Sequence, residues 1–269
     1  MENTKKQPLS LKEIQNTELQ ILLYVDSFCR EHNIQYSLYA GTMLGAIRHK
    51  GFIPWDDDVD ICMTRENYEK FLAEFKGNDR YVMENHRIDP KFNRLLFTKI
   101  FDTHTIATEE GFNPLPNGGL WVDVFPMDYV PDNSKKRKKL LKKFYVDSKL
   151  VSYRDMTKAT KNSLLARMMF FWKGTEKIFS EFEVYGKQAK QSKNCKDLTC
   201  QSLESVKKDS KLYPAQFFEH YVDVSFEGHQ LSCLANYKEA LTIEFGDYMT
   251  LPPVEKRQTH HVEAYFKEE

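Results

Sequence analysis

Four aspartates crowd one short stretch, Trp55-Asp-Asp-Asp-Val-Asp60, and the chain runs straight on through Ile61-Cys-Met63. The alternation Asp58-Val-Asp-Ile-Cys-Met63 predicts a strand, which turns alternate residues to one face. Asp58 and Asp60 then share a face with their Cα atoms ~6–7 Å apart, while Val59 and Ile61 point into the packed side. Two carboxylates on one face repel unless a proton or a cation lies between them. Mg²⁺ suits such a place, because it takes hard oxygen ligands and leaves positions open for substrate phosphates. An isolated acidic cluster is commonly a solvated turn, but these acids are embedded in β-branched strand residues. A second strand, Leu120-Trp-Val-Asp-Val-Phe125, sets Asp123 alone among large apolar residues. A carboxylate there is costly unless paired or metal-bound. If the two strands are neighbours, Asp58, Asp60 and Asp123 form a three-carboxylate metal site.

The other elements follow from pattern. Ser10 and Glu13 make a capping box ahead of an amphipathic helix over about 11–32, with Leu11, Ile14, Leu22, Val25 and Cys29 at helical spacing. Tyr36–Ala40 reads as a short strand ended by Gly41-Thr42, and Met43–Arg48 as a short helix. Thr64 caps a helix with Tyr68, Phe71, Leu72 and Phe75 on its apolar face. Further strands are expected at Tyr81–Glu84, Leu95–Asp102, Leu120–Phe125 and Tyr221–Phe226, and a helix at Ala235–Phe245. The stretch 134–213 shows long helical patterning and no obvious strand. The expected fold class is α+β: a mixed β-sheet core flanked by helices, with a basic helical insertion. The boundaries read as a catalytic core over 1–133, the insertion over 134–213, and a C-terminal segment over 214–269 that completes the core.

Gly41-Thr42 complements the acids. Glycine lets a backbone approach a phosphate, and a helix opening at Met43 would aim free N–H groups at an anion. Alone, Gly-Thr is commonly just a turn. The order of glycine turn, short helix, paired acids and later single acid resembles the nucleotidyltransferase superfamily of the polymerase-β type. The fuller string Gly41-Thr-Met-Leu-Gly-Ala-Ile-Arg-His-Lys-Gly-Phe-Ile-Pro-Trp-Asp-Asp-Asp-Val-Asp60 resembles the signature of the LicD family. Leu120–Asp128 is similar to that family's second motif, and Phe245–Pro253 with Glu255, Arg257 and His260 to its C-terminal one. No resemblance is visible over 134–213.

The resemblance implies a nucleotidyltransferase-like core and a transferase that moves phosphocholine from CDP-choline to sugars of bacterial surface polymers, teichoic acid or lipopolysaccharide in type. It implies Mg²⁺, with Mn²⁺ an alternative, at Asp58, Asp60 and Asp123, which are also the expected catalytic residues. Asp123 is the candidate general base. Gly41 and Thr42 match the phosphate turn, while Asp56 and Asp57 fall in the motif as further ligands or as turn residues. Arg48 and Arg257 are candidate phosphate holders, Lys99 a candidate to neutralise the leaving nucleotide, and His260 and His261 candidate substrate contacts. Each of these has a structural reading as an ordinary salt bridge, core contact or solvated side chain. A choline headgroup calls for aromatic faces, and Trp55, Trp121 and Tyr248 stand in the motifs.

Composition enters at the basic stretch. The chain has 269 residues and a net charge of zero, yet residues 134–213 hold 21 Lys+Arg against 8 Asp+Glu. Neutrality is a cancellation between an acidic body and a basic segment. Ser134–Lys143 with Leu164–Trp172 has the composition of a segment resting on an anionic membrane, as well as of a solvated helix face. No aromatic-basic interleaving points to nucleic acid. A polar N-terminus, five cysteines and no ~20-residue apolar run suggest a cytoplasmic chain with reduced thiols. Cys195 and Cys200 lack the companions of a zinc site. The rival readings are a nucleotidyltransferase acting on a small molecule, a metal-dependent sugar-nucleotide glycosyltransferase, and a non-enzymatic scaffold.

Overall fold

The computed structural model describes residues 7–88, 96–109, 111–112, 118–154, 156–158, 160–173, 177, 180, 196–200, 211–259 and 262–268. Ser10 opens α1 (Leu11–Glu31) through a complete capping box, in which the Glu13 carboxylate accepts the Ser10 N–H at 2.8 Å. The expected apolar stripe is the enclosed one, with Leu22, Val25 and Cys29 buried. In chain order there follow β1 (Ser37–Leu38), α2 (Ala40–His49), β2 (Asp60–Thr64), α3 (Arg65–Glu74), β3 (Tyr81–Glu84), β4 (Thr98–Asp102), β5 (Thr105–Glu109) and β6 (Trp121–Tyr129). Then come α4 (Ser134–Arg154), α5 (Lys161–Lys173), β7 (Asp197–Cys200), β8 (Tyr213–Pro214), β9 (Tyr221–Phe226), β10 (His229–Leu234), α6 (Tyr237–Phe245) and β11 (Val262–Phe266).

The main sheet is mixed, in the order β1-β2-β6-β4-β3. β2 and β6 run parallel, and the other pairings are antiparallel. β6 is central: its first half pairs with β4 and its second half with β7. Pro126 falls between those two pairings, where its missing N–H breaks no ladder bond. That is why β6 continues past the proline at which a strand was expected to stop. Tyr36, Leu38, Ile61, Met63, Phe71 and Val124 fill the core between the sheet and its helices.

Two expectations are corrected. The helix after β1 begins at Ala40, not Met43, so Gly41 and Thr42 lie in its first turn rather than in a loop before it. The basic stretch is not free of strand: Asp197–Cys200 joins β6 and Tyr213–Pro214 joins β7, returning the chain to the main sheet. Both strands are short, and β7 is largely polar in sequence, so only pairing with a buried partner reveals them. Cys29, Cys62 and Cys233 are buried and in no disulfide, while Cys195 lies outside the described residues. The β9–β10 hairpin turns at Glu227-Gly228, both at positive φ (47° and 82°), as a tight primed turn requires. Its Glu227 side chain accepts the Phe52 N–H at 3.1 Å and so braces the loop after α2.

Candidate active site

Strand register brings the acids together. Asp60 opens β2 directly opposite Asp123 on β6, and Asp123 is opposite Lys99 on β4, which is opposite Glu84 on β3. Directly opposed residues share a face at about 4.8 Å strand spacing, so acid, acid, ammonium and acid stand in one row. Lys99 Nζ lies 2.7 Å from Asp123 Oδ1. The same ammonium stands 4.0 Å from the Trp121 ring centroid. Lys99 is thus a buried partner of Asp123, and the Trp121 face is occupied by the protein's own cation.

The loop into β2 is held from several sides. Thr42 Oγ1 accepts the Asp60 N–H at 2.8 Å, so Thr42 pins the first turn of α2 to the start of the strand. A Cβ at Gly41 would meet Asp56 Oδ2 at 2.8 Å, so the glycine leaves room for a carboxylate beside the helix start. Gln15 of α1 donates to Asp56 O at 2.9 Å, and buried Asp57 accepts the Val262 N–H at 3.3 Å. Asp58 precedes β2 rather than lying in it.

These contacts crowd negative charge. Part of Asp60 still meets solvent, but the surrounding protein strips enough water to hold its carboxyl well above the ordinary range. Asp58, Asp123 and Asp56 add to that shift and Lys99 opposes it. Burial pushes Asp123 up to about 6, with Lys99 pulling the other way and Asp58 and Glu109 adding to the rise. One further carboxylate, which the motif reading did not include, belongs here. Glu18 of α1 is 1% exposed, and its Oε2 makes no hydrogen bond. Burial, then Asp58, Asp57, Asp56 and Asp123, hold it well above the ordinary value. Its sequence signal was an acid in the apolar row Ile14, Leu22 and Val25, on a buried helix face that also holds Gln15 and Thr17.

A second cluster sits at the other end of α2, on the order of 12 Å along the axis from Ala40. Arg48 donates to His49 Nε2 at 2.9 Å and to Tyr248 O at 2.8 Å. Arg257 donates Nε to Pro252 O at 2.9 Å, and its guanidinium carbon lies 5.3 Å from the Trp55 ring centroid. Burial and the charge of Arg257 lower the pKa of Arg48. Burial and Arg48 lower that of His49. Among the described residues neither arginine meets a carboxylate. The structure therefore unites Arg48, Arg257, Trp55 and Tyr248, whereas Lys99 and Trp121 stand together beside Asp123. His260 and His261 lie outside the described residues.

The LicD/FKTN/FKRP nucleotidyltransferase domain matches residues 33–144. The chain is also 33% identical over 268 residues to the lipopolysaccharide cholinephosphotransferase LicD of Haemophilus influenzae, covering 96% of this chain and 98% of that one. The chain belongs to the LicD family. It is accordingly an enzyme, a transferase acting on phosphate-containing groups. An uncharacterised protein of Rickettsia typhi is 36% identical over 76 residues, 27% of this chain and 22% of that protein. The LicD domain match holds α2, β2, β3, β4 and β6, and hence the whole row of Asp60, Asp123, Lys99 and Glu84. Glu18 and Arg257 fall outside that match but within the span shared with the Haemophilus protein, which runs across 134–213 as well.

For a divalent cation, the donors are of the right kind: hard oxygens, buried or half-buried, whose charge one lysine does not balance. Among the described residues no three such groups stand close enough together to enclose an ion. The donor chemistry and the surplus charge fit a cation at Asp58 and Asp60, with Asp123 beside it. A separate groove lined by Arg65, Asn67, Asp128 and Glu219 opens at the far end of β2 and β6. There Arg65 already holds Asp128 through bonds of 2.7 and 2.6 Å.

Proposed function

We propose that this protein transfers phosphocholine from CDP-choline to a sugar hydroxyl of a bacterial surface glycopolymer precursor, releasing CMP. A lipopolysaccharide-type acceptor is favoured over teichoic acid, because the near full-length relative carries that name. The observation that carries the reading is the in-register row of Asp60, Asp123 and Lys99 in a chain of this family.

In the reaction, the acceptor oxygen bonds to the choline-bearing phosphorus. The bond from that phosphorus to the bridging oxygen breaks, and CMP leaves with the electron pair. Asp123 takes the hydroxyl proton: Lys99 fixes its Oδ1, and a carboxyl raised to about 6 is a competent base near neutrality. Asp58 and Asp60 would hold Mg²⁺ or Mn²⁺, which offsets the diphosphate charge when bound. Arg48 and Arg257 hold phosphate oxygens, a task suited to the forked guanidinium. Trp121 is buried against Lys99, so the choline contacts proposed are Trp55, half-exposed beside Arg257, and Tyr248.

The test uses CDP-choline labelled separately in its choline and its nucleotide, with Mg²⁺ and a lipopolysaccharide acceptor. Choline label on the acceptor with free CMP supports the reading. Nucleotide label on the acceptor, or CMP release undiminished in folded Asp123→Asn, overturns it.

A lipid-linked acceptor is met, on this reading, at the cytoplasmic face of an anionic membrane. The support is α5, which exposes Leu164, Met168, Phe171 and Trp172 (the last two 83% and 79%), next to the lysine-rich α4. Among the described residues no helix is long and apolar enough to cross a membrane, so the contact would be peripheral. Flotation with anionic but not neutral vesicles is expected. Equal behaviour with both would remove this part.

A further inference from the structure

We propose that Glu18 is a positioning residue of the same site, a buried carboxylate on α1 whose charge helps hold the divalent cation at Asp58 and Asp60. The inference rests on the cation reading above and adds to it an element outside the motif strands.

Three observations point the same way. Glu18 replaces an apolar residue on a stripe whose other members, Ile14, Leu22 and Val25, are 4%, 0% and 0% exposed. Burying a carboxylate there is unfavourable unless something compensates it. Among the described residues nothing hydrogen-bonds its Oε2, and the ammonium of the row is engaged with Asp123. The charges that act on it most strongly are those of acids: Asp58 first, then Asp57, Asp56 and Asp123. One turn earlier on the same helix, Gln15 is bonded to Asp56 O at 2.9 Å, so the turn of α1 that carries Glu18 is fastened to the acid loop. A fold that needed Glu18 only as filler would gain from an apolar side chain. A fold that gathers charge for a cation keeps the acid and accepts the repulsion while no cation is bound. Asp58 is the neighbour common to Glu18, Asp60 and Asp123, so the three share one electrostatic centre.

The test titrates Mn²⁺ alone into the full chain, without donor or acceptor, by calorimetry or by the loss of free-ion paramagnetic signal. It also records melting temperature in chelator. Glu18→Gln keeps the shape and removes the charge. The expected result is Mn²⁺ affinity weaker by about 10–100-fold, the range for outer-sphere partners of metal ligands, together with a higher melting temperature in chelator. Should the amide fold poorly, Glu18→Met must show the same pair of opposite changes. Wild-type affinity in either folded variant overturns the assignment to Glu18 and leaves the cation reading intact. Absence of Mn²⁺ binding by the wild type, with Asp60→Asn no different, overturns both.

Discussion

At the N-terminal end of α2, the charges of Asp56, Asp58, Asp60, Asp123 and Glu18 act on one another, and Lys99 pairs with Asp123. At its C-terminal end, Arg48 and Arg257 rest on the carbonyls of Tyr248 and Pro252, with no carboxylate between them among the described residues. One region has surplus negative charge and the other surplus positive charge, and the same helix and its returning loop join them. Each surplus costs stability in the free protein, because like charges are held together. A ligand bearing a diphosphate and a divalent cation would relieve both at once. Charge left unbalanced in opposite senses at two ends of one element therefore describes the ligand better than either cluster does alone.

The comparison breaks first at the acids. Asp58→Asn or Asp60→Asn should lower CMP release by about 10³-fold or more, as loss of a charge-stabilising group does, while circular dichroism stays native. Next in size is Lys99→Met, which leaves Asp123 buried without its partner. A loss of about 3 kcal/mol is expected, read by denaturant unfolding. Unchanged stability would mean that Lys99 is not what holds the row together. At the other end, Arg257→Ala should raise KM for the donor by about 10–30-fold, the worth of a charged hydrogen-bonded contact, with kcat changed less. Arg257→Lys should recover only part of this, since an ammonium lacks the fork.

The smallest effect is on stability against pH. The carboxyls of Asp60, Glu18 and Asp123 are raised on folding, so the folded chain keeps protons that the unfolded chain has released. Their contribution is fully present below the ordinary carboxylate range. It is lost as pH climbs through the raised values, about 6 for Asp123. In chelator, Asp60→Asn should therefore melt a few degrees higher than wild type at pH 7.5, with about 1 kcal/mol corresponding to about 2–4 °C. That gain should vanish near pH 4.

Much of the sheet and the acid pair were legible because they depend on local pattern. The capping box of Ser10, the Thr64 cap and the alternation around Asp60 each act within a few residues. The solitary Asp123 could be read as a metal or pairing residue because an acid among large apolar neighbours must be compensated. What escaped depends on pairing across the chain. β7, β10 and the β5–β11 ribbon are stabilised by partners that no local signal names. Lys99 reads equally as a group for the leaving nucleotide or as an ordinary surface or salt-bridged lysine until register sets it opposite Asp123. Arg48 and Arg257 are distant in sequence, and only the folded tail loop unites them. Glu18 was visible as a misfit on an apolar stripe, but its meaning required knowing what that stripe faces.

The most direct test titrates CDP into wild type, Asp60→Asn and Arg257→Ala, each with and without Mn²⁺. The division of labour along α2 predicts that Asp60→Asn loses the Mn²⁺-dependent gain in affinity yet keeps the cation-free binding. Arg257→Ala should keep the gain from Mn²⁺ and lose cation-free affinity. If both variants lose the same component, the two ends of α2 are not separate centres, and the account fails.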